Sequence, residues 1–155
     1  MDTFLWIKLL HTLSATILFG TGLGTAYFKW IGDRHGNVRS IRVMNERVVL
    51  ADWLFTLPAG IVQPVTGVML AGLAGYSLRT GWLVVSMALY VVVGIAWLVI
   101  VRLQIRMRDM ARLADRSDTL LPAQYWRCAR TWFWLGFPAF CMLLVVFWLM
   151  VVKPV

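Results

Sequence analysis

The stretch that decides the fold is residues 4–30, FLWIKLLHTLSATILFGTGLGTAYFKW. An α-helix rises about 1.5 Å per residue, so this stretch can cross the roughly 30 Å of a bilayer's hydrocarbon core. Near its start it nevertheless carries two ionisable side chains, Lys8 and His11, whose spacing places them on one face of a helix. The stretch therefore predicts a transmembrane helix whose ionisable residues need an explanation.

The composition of the whole chain is that of a polytopic membrane protein. Of its 155 residues, 61% are apolar and only 14% are charged, and the mean hydropathy is +0.76. The charged residues are concentrated in short segments between long apolar runs, which is typical of helical membrane proteins. The sequence predicts an all-α protein with a single domain over residues 1–155, a four-transmembrane-helix bundle with spans at about 4–30, 48–73, 82–101 and 126–152.

The distribution of arginine predicts the orientation of the bundle. Arginines are concentrated in two segments, 31–47 and 102–125, whereas the connection between the second and third spans contains only Arg79. Cytoplasmic loops carry an excess of Lys and Arg. We therefore expect both arginine-rich loops in the cytoplasm and both termini on the outer, periplasmic face of a bacterial inner (plasma) membrane. Because this topology explains the net charge of +8, the predicted partner is the lipid bilayer and no nucleic-acid partner is expected.

Three sequence features predict the local structure and packing of the spans. The segment RLQIRMRDMARLAD, residues 102–115, predicts a basic amphipathic helix that continues the third span along anionic headgroups. Gly20 and Gly24 predict a close approach between the first span and a neighbouring helix. Pro58 and Pro64 lack an N–H group, so they leave backbone carbonyls of the second span free at membrane depth.

Polar residues of the second span follow one helical stripe. Asp52, Thr56 and Gln63 are spaced so that they share a face. Polar groups are costly in hydrocarbon, so this face is expected to point toward protein or water. We interpret Asp52 and Thr56 as structural polar residues, with an arginine at the cytoplasmic side as the expected partner of Asp52.

A second set of polar or sulfur-containing residues falls at one depth. Counting the helical rise from the outer ends places His11, Gln63 and Tyr90 roughly 10–14 Å below the outer boundary. Lys8, Ser86 and Met87 lie slightly shallower. Simple structural interpretations exist for some of them: Lys8 can extend its ammonium group outward, Gln63 can bond a carbonyl freed by the following proline, and Tyr90 can be a packed aromatic. For His11 the alternative is ligation of haem iron, because imidazole is a common axial ligand.

Three longer stretches resemble a known family of membrane proteins. They are WIKLLHTLSATILFGTGL at 6–23, NERVVLADWLFTLPAGIVQPVTGVML at 45–70 and LMVVKPV at 149–155. The first two resemble the first and second helices of HemJ-type proteins and related CopD-like proteins, and the third resembles their C-terminal segment. The patterns WLFTxPA, QPxTG, LQIRMRD and FWLMVxKP are similar over nearly the whole chain to an uncharacterised bacterial family of small integral membrane proteins.

The resemblance to HemJ-type protoporphyrinogen oxidases implies a function. It implies an inner-membrane redox protein that binds haem b and exchanges electrons with a hydrophobic reductant. His11 falls on the family's first-helix histidine and would ligate the iron, whereas Ser86 stands at the position of its third-helix lysine. The predicted cofactor-binding set is His11, Lys8, Gln63, Tyr90, Ser86 and Met87.

The alternative is a non-catalytic membrane module. It would be an accessory or transport-related subunit without a cofactor, resembling CopD-like proteins that handle a metal or a partner. Four spans are few for a transporter, so a homo-oligomer, a dimer or higher, is expected. For the redox function, the predicted substrate is a hydrophobic small molecule. The chain has no GxSxG, P-loop, GxGxxG or HExxH motif, so the sequence gives no support to a soluble-enzyme class.

Overall fold

The structure, a computed structural model, describes residues 2–154, which form four long helices and no strand. The helices are α1 (Thr3–His35), α2 (Val38–Leu73), α3 (Gly81–Arg116) and α4 (Ala123–Val152). All four are long and apolar enough to cross a membrane, judged by length and composition. The predicted all-α architecture with four membrane-spanning helices is confirmed.

The first arginine-rich segment is not a loop, and the prediction of a loop over 31–47 is wrong. Only Gly36 and Asn37 separate α1 from α2. The side chain of Asn37 caps α2 by accepting the N–H group of Ser40 at 2.8 Å. A Cβ at Gly36 would lie 2.5 Å from the carbonyl oxygen of Gly32, so the tight connection requires glycine. The hydropathy pattern marks where a span leaves the apolar layer, whereas the helix continues until its backbone is capped.

The helices extend well beyond the apolar layer at the arginine-rich end. The 36 residues of α3 correspond to a length of about 54 Å, against roughly 30 Å of hydrocarbon. The amphipathic helix predicted over 102–115 is confirmed as the extension of α3. The second predicted loop, 102–125, is therefore too long, because only residues 117–122 connect α3 to α4. At this end lies a core cluster of buried side chains: Ile41, Met107, Ala111, Tyr125 and Trp132.

The four helices form two pairs that join mainly at the arginine-rich end. Along the membrane layer α1 packs on the second part of α2, Leu57–Leu73, and α3 packs on α4. The first part of α2, Val38–Ala51, packs against α3 and connects the two pairs. Deeper in the apolar layer the pairs meet through side chains, where the ring of Phe19 lies 4.8 Å from that of Phe140 and 5.6 Å from that of Phe147. Close backbone contact between the pairs is therefore concentrated outside the apolar layer.

Helix α2 contains a π-helical turn and an interior proline. The π-helical turn is Asp52–Thr56, and Pro64 lies within the following α-helical part. Because Pro64 has no N–H group, it cannot bond the carbonyl of Gly60 four residues earlier. The hydroxyl of Tyr90 on α3 donates to this carbonyl at 2.8 Å. The carbonyl freed by Pro64 is therefore satisfied by Tyr90, and not by Gln63 as the sequence suggested.

Candidate functional site

The imidazole of His11 is bonded at both ring nitrogens to side chains of α2. Nδ1 lies 2.8 Å from Oγ1 of Thr66, and Nε2 lies 3.1 Å from the amide nitrogen of Gln63. The Thr66 hydroxyl donates to the carbonyl of Val62 at 2.7 Å, so it accepts from Nδ1–H. The amide of Gln63 then donates to the lone pair on Nε2. A neutral imidazole is thus fully satisfied inside the protein.

Two further features hold this His11 cluster (His11, Ser14, Gln63 and Thr66) between α1 and α2. The buried hydroxyl of Ser14 donates to Oε1 of Gln63. A Cβ at Gly67 would lie 3.2 Å from Cε1 of His11, so this glycine lets the ring approach the α2 backbone closely. Hydrogen bonds between membrane helices contribute on average only about 0.6 kcal/mol each, so the cluster fixes the pairing and rotation of α1 and α2 more than it stabilises the fold.

The predicted cofactor-binding residues do not all meet. His11 and Gln63 are in direct contact, and Gln63 and Tyr90 line the same small cavity. Ser86 is buried but donates to the carbonyl of Trp82 in its own helix at 2.8 Å. Met87 is 43% exposed, and Lys8 is exposed and its side chain bonds no described residue. Thr66 and Ser14, which the sequence analysis did not select, complete the cluster, and each stands three residues after one of the selected side chains.

Haem does not fit the residues as they are arranged. An axial ligand needs a free nitrogen lone pair, and the lone pair on Nε2 of His11 is used by Gln63. The cavity beside Gln63 and Tyr90 has a volume of about 30 Å³, whereas sites for drug-sized ligands have roughly 300–1,000 Å³. Within residues 2–154, no group of three or more His, Cys, Asp or Glu side chains is placed to hold a metal ion.

Asp52, at the start of the π-helical turn, is buried without an arginine partner, so that part of the prediction is wrong. Its Oδ1 accepts from the hydroxyl of Thr56 at 2.8 Å, and no described arginine or lysine forms an ion pair with it. Its Oδ2, Nε1 of Trp97 and Oε1 of Gln104 are buried without a hydrogen-bond partner. Asp52 and Thr56 do share the buried face of α2 that their spacing predicted.

A family described as "Predicted integral membrane protein (DUF2269)" matches residues 5–154, nearly the whole chain. The chain belongs to this family. The predicted resemblance to an uncharacterised family of integral membrane proteins is therefore confirmed. A search of curated proteins and a search of solved structures found no match, and the resemblance to HemJ-type and CopD-like proteins stays a prediction.

This DUF2269 protein has a second buried polar cluster, at the arginine-rich end, that the sequence analysis missed. Its centre is Lys29, whose side chain is 0% exposed. The ammonium group donates to Oδ2 of Asp33 at 2.9 Å, to Oδ1 of Asn45 at 3.0 Å and to the hydroxyl of Tyr125 at 3.1 Å. These three acceptors use all three of its protons. We name these four residues the Lys29 cluster.

The partners within the Lys29 cluster also satisfy one another. The hydroxyl of Tyr125 donates to Oδ1 of Asp33 at 2.5 Å and accepts from the amide of Asn45 at 2.9 Å. The second proton of that amide goes to the carbonyl of Ile41 at 2.8 Å. Every donor of the cluster therefore has an acceptor, and α1, α2 and α4 are tied together. The only local signal in the sequence is the i,i+4 spacing of Lys29 and Asp33, which also forms ion pairs on exposed helix surfaces.

Proposed function

We propose that this DUF2269 protein is a non-catalytic, cofactor-free membrane module that acts as an accessory subunit. The observation that carries the proposal is the saturation of His11: both ring nitrogens are bonded to α2 side chains. An imidazole held in this way joins two helices and has no lone pair to offer an iron atom or a substrate proton. Applying the positive-inside rule, we also propose that the arginine-rich end faces the cytoplasm of a bacterial inner membrane.

We further propose that the module assembles with a second copy of itself through α1. Small residues recur every four positions on this helix, at Thr12, Thr16, Gly20 and Gly24. The hydroxyls of Thr12 and Thr16 bond carbonyls of their own helix at 2.9 Å, so they need no partner. A Cβ built on Gly20 or Gly24 would meet nothing within 4 Å. The close helix contact expected of these glycines is thus not made within the described chain, and such a surface favours packing against another helix.

Gly20→Leu is expected to lower the oligomeric mass of the protein without lowering its melting temperature. The Cβ position is open in the single chain, so the added side chain is expected to obstruct a contact with another molecule. Gly72→Leu is the matched control, because a Cβ at Gly72 also meets nothing within 4 Å and lies on a different helix. Light scattering after size-exclusion chromatography in a mild detergent measures the mass. A monomeric wild type, or an unchanged mass for Gly20→Leu, would refute self-assembly through α1.

The haem-b redox function is the alternative proposal, and an absorption spectrum separates the two. His11 and Gln63 do meet between two helices, as a ligand and its hydrogen-bonding neighbour would. For the module we expect no Soret band when the protein is produced with ample haem and purified. A Soret band that is lost in His11→Ala but kept in Thr66→Ala would instead identify His11 as an iron ligand and overturn the cofactor-free proposal.

A further inference from the structure

An open pocket of about 430 Å³ lies between α2 and α3 at the arginine-rich end. Three arginines line it, Arg47 from α2 and Arg108 and Arg112 from α3, together with Glu46. Leu50 and Trp53 form its apolar part. The pocket is therefore basic on one side and apolar on the other, and none of its residues belongs to the His11 cluster or to the Lys29 cluster.

The only carboxylate in the pocket is already neutralised. Glu46 accepts from Arg112 at 2.7 Å and from Arg42 at 3.1 Å. The hydrogen bond from Arg112, together with the bond from Arg42, holds the pKa of Glu46 below its ordinary value, so the carboxylate stays ionised and paired. Arg42 in turn is bonded to Asp115 at 2.7 Å, which joins the extensions of α2 and α3. These ion pairs hold the pocket walls together. Arg108 is also paired, with Asp109 at 2.9 Å, so Arg47 and Arg112 supply the positive charge of the pocket.

The arginines keep hydrogen-bond donors free for an anion. Arg47 is exposed and forms no ion pair with any residue of the described chain. Arg112 uses only Nε for Glu46, so four of its five N–H groups remain. Guanidinium groups bind phosphate oxygens in paired, planar geometry, which makes phosphate the anion that such a site favours.

The apolar part of the pocket points toward the bilayer. Leu50 and Trp53 are 45% and 55% exposed, and both belong to the apolar span predicted from residue 48 onward. Arg108 and Arg112 lie on the extension of α3 beyond that layer. Tryptophan is enriched at headgroup level in membrane proteins, where its ring contacts both water and acyl chains. The positively charged end of the pocket thus lies where a lipid headgroup would be, and its apolar end lies where the acyl chains would be.

We propose that this pocket binds an anionic phospholipid from the leaflet at the arginine-rich end. Arg47 and Arg112 bind its phosphate, and its acyl chain lies along Leu50 and Trp53. Basic pockets between membrane helices bind anionic headgroups in this manner. The inference is independent of the proposed accessory function, since it rests on residues that the His11 cluster does not touch. A free phosphate would use the same arginines but would leave the apolar part of the pocket uncovered.

Lipid binding is measured by titrating the protein in a neutral detergent with phosphatidylglycerol and counting bound lipids by native mass spectrometry. Phosphatidylglycerol is expected to bind at least about tenfold more tightly than phosphatidylcholine, which carries a phosphate but no net charge. The double variant Arg47→Gln/Arg112→Gln should lose this preference. The control Arg102→Gln/Arg106→Gln removes the same charge from exposed positions outside the pocket and should keep it.

Three outcomes would overturn the proposal. Equal binding of the two lipids would show that charge does not select the ligand, and equal losses in both double variants would show that only the overall charge matters. Inorganic phosphate that displaces the lipid at comparable concentration would show that the pocket recognises free phosphate. Trp53→Ala is expected to weaken phosphatidylglycerol binding severalfold while leaving phosphate binding unchanged. Circular dichroism of each variant establishes that it is folded, so a loss of binding cannot be attributed to unfolding.

Discussion

Lys29→Met is expected to lower the free energy of unfolding by about 3–5 kcal/mol, the cost of breaking a buried ion pair. The ammonium group is 0% exposed and donates to three side chains. Methionine has a similar length but no donor, so Asp33, Asn45 and Tyr125 would each lose one hydrogen bond. The carboxylate of Asp33, only 13% exposed, would also lose its ion-pair partner. For a chain of this size such a change lowers the melting temperature by about 6–20 °C. Circular dichroism during heating in one fixed detergent measures it.

A charge control and a rescue variant make this prediction specific. Arg39→Met also removes one positive charge but from an exposed residue of the same region, so its effect should stay within roughly 0.5 kcal/mol. Asp33→Asn combined with Lys29→Met removes the stranded carboxylate and should recover part of the lost stability. If Lys29→Met and Arg39→Met both had the melting temperature of the wild type, the Lys29 cluster would not stabilise the fold.

Met107→Ala is expected to cost about 2–5 kcal/mol by leaving a cavity in a well-packed core. Met107 is 0% exposed and belongs to the core cluster with Ile41 and Ala111. The cluster lies at the arginine-rich end, in the part of the helices that extends beyond the apolar layer. Burial there removes apolar surface from water, so the hydrophobic effect contributes as it does in a soluble protein. Within the bilayer the same side chain would exchange protein contacts for lipid contacts of similar strength.

The matched control for this substitution lies on the same helix. Met87 is 43% exposed near the opposite end of α3, and Met87→Ala should change the melting temperature little. Thermal unfolding of both variants in the same detergent, followed by circular dichroism, gives the comparison. Equal losses for the two variants would mean that the packed core does not lie where the structure places it.

The two buried polar clusters join different parts of the bundle. The His11 cluster joins α1 to the second part of α2, Leu57–Leu73, within the apolar layer. The Lys29 cluster joins α1, α2 and α4 at the arginine-rich end. Since the two helix pairs are in close backbone contact mainly at that end, the Lys29 cluster is expected to control whether the pairs stay together.

Several features of the fold could be predicted because they depend on local sequence. The four spans follow from runs of apolar residues, and the extension of α3 follows from the periodic arginines of residues 102–115. The burial of Asp52 and Gln63 on one face of α2 follows from their spacing. The incorrect prediction of a loop over 31–47 also has a local cause. Hydropathy indicates where a segment leaves the apolar layer, but it does not indicate where a helix ends.

The partners of the polar residues could not be predicted. Asp52 was expected to bond an arginine and instead accepts from Thr56. Tyr125 is 0% exposed and accepts a hydrogen bond from Lys29, from which it is separated by 96 positions in the chain. Such pairs depend on the rotation of each helix about its axis, which the sequence of one helix does not reveal.

The sequence alone determined that this protein is a four-helix membrane protein, because the transfer of a segment into lipid depends on the composition of that segment. It also identified His11 and Gln63 as polar residues at one depth, because helical rise converts position into depth. Only the tertiary structure decided that His11 is bonded at both nitrogens and that Lys29 is buried. The hydrogen bonds of His11 and the burial of Lys29 depend on which faces of different helices are in contact. Those contacts are determined only when the helices pack together in the complete bundle.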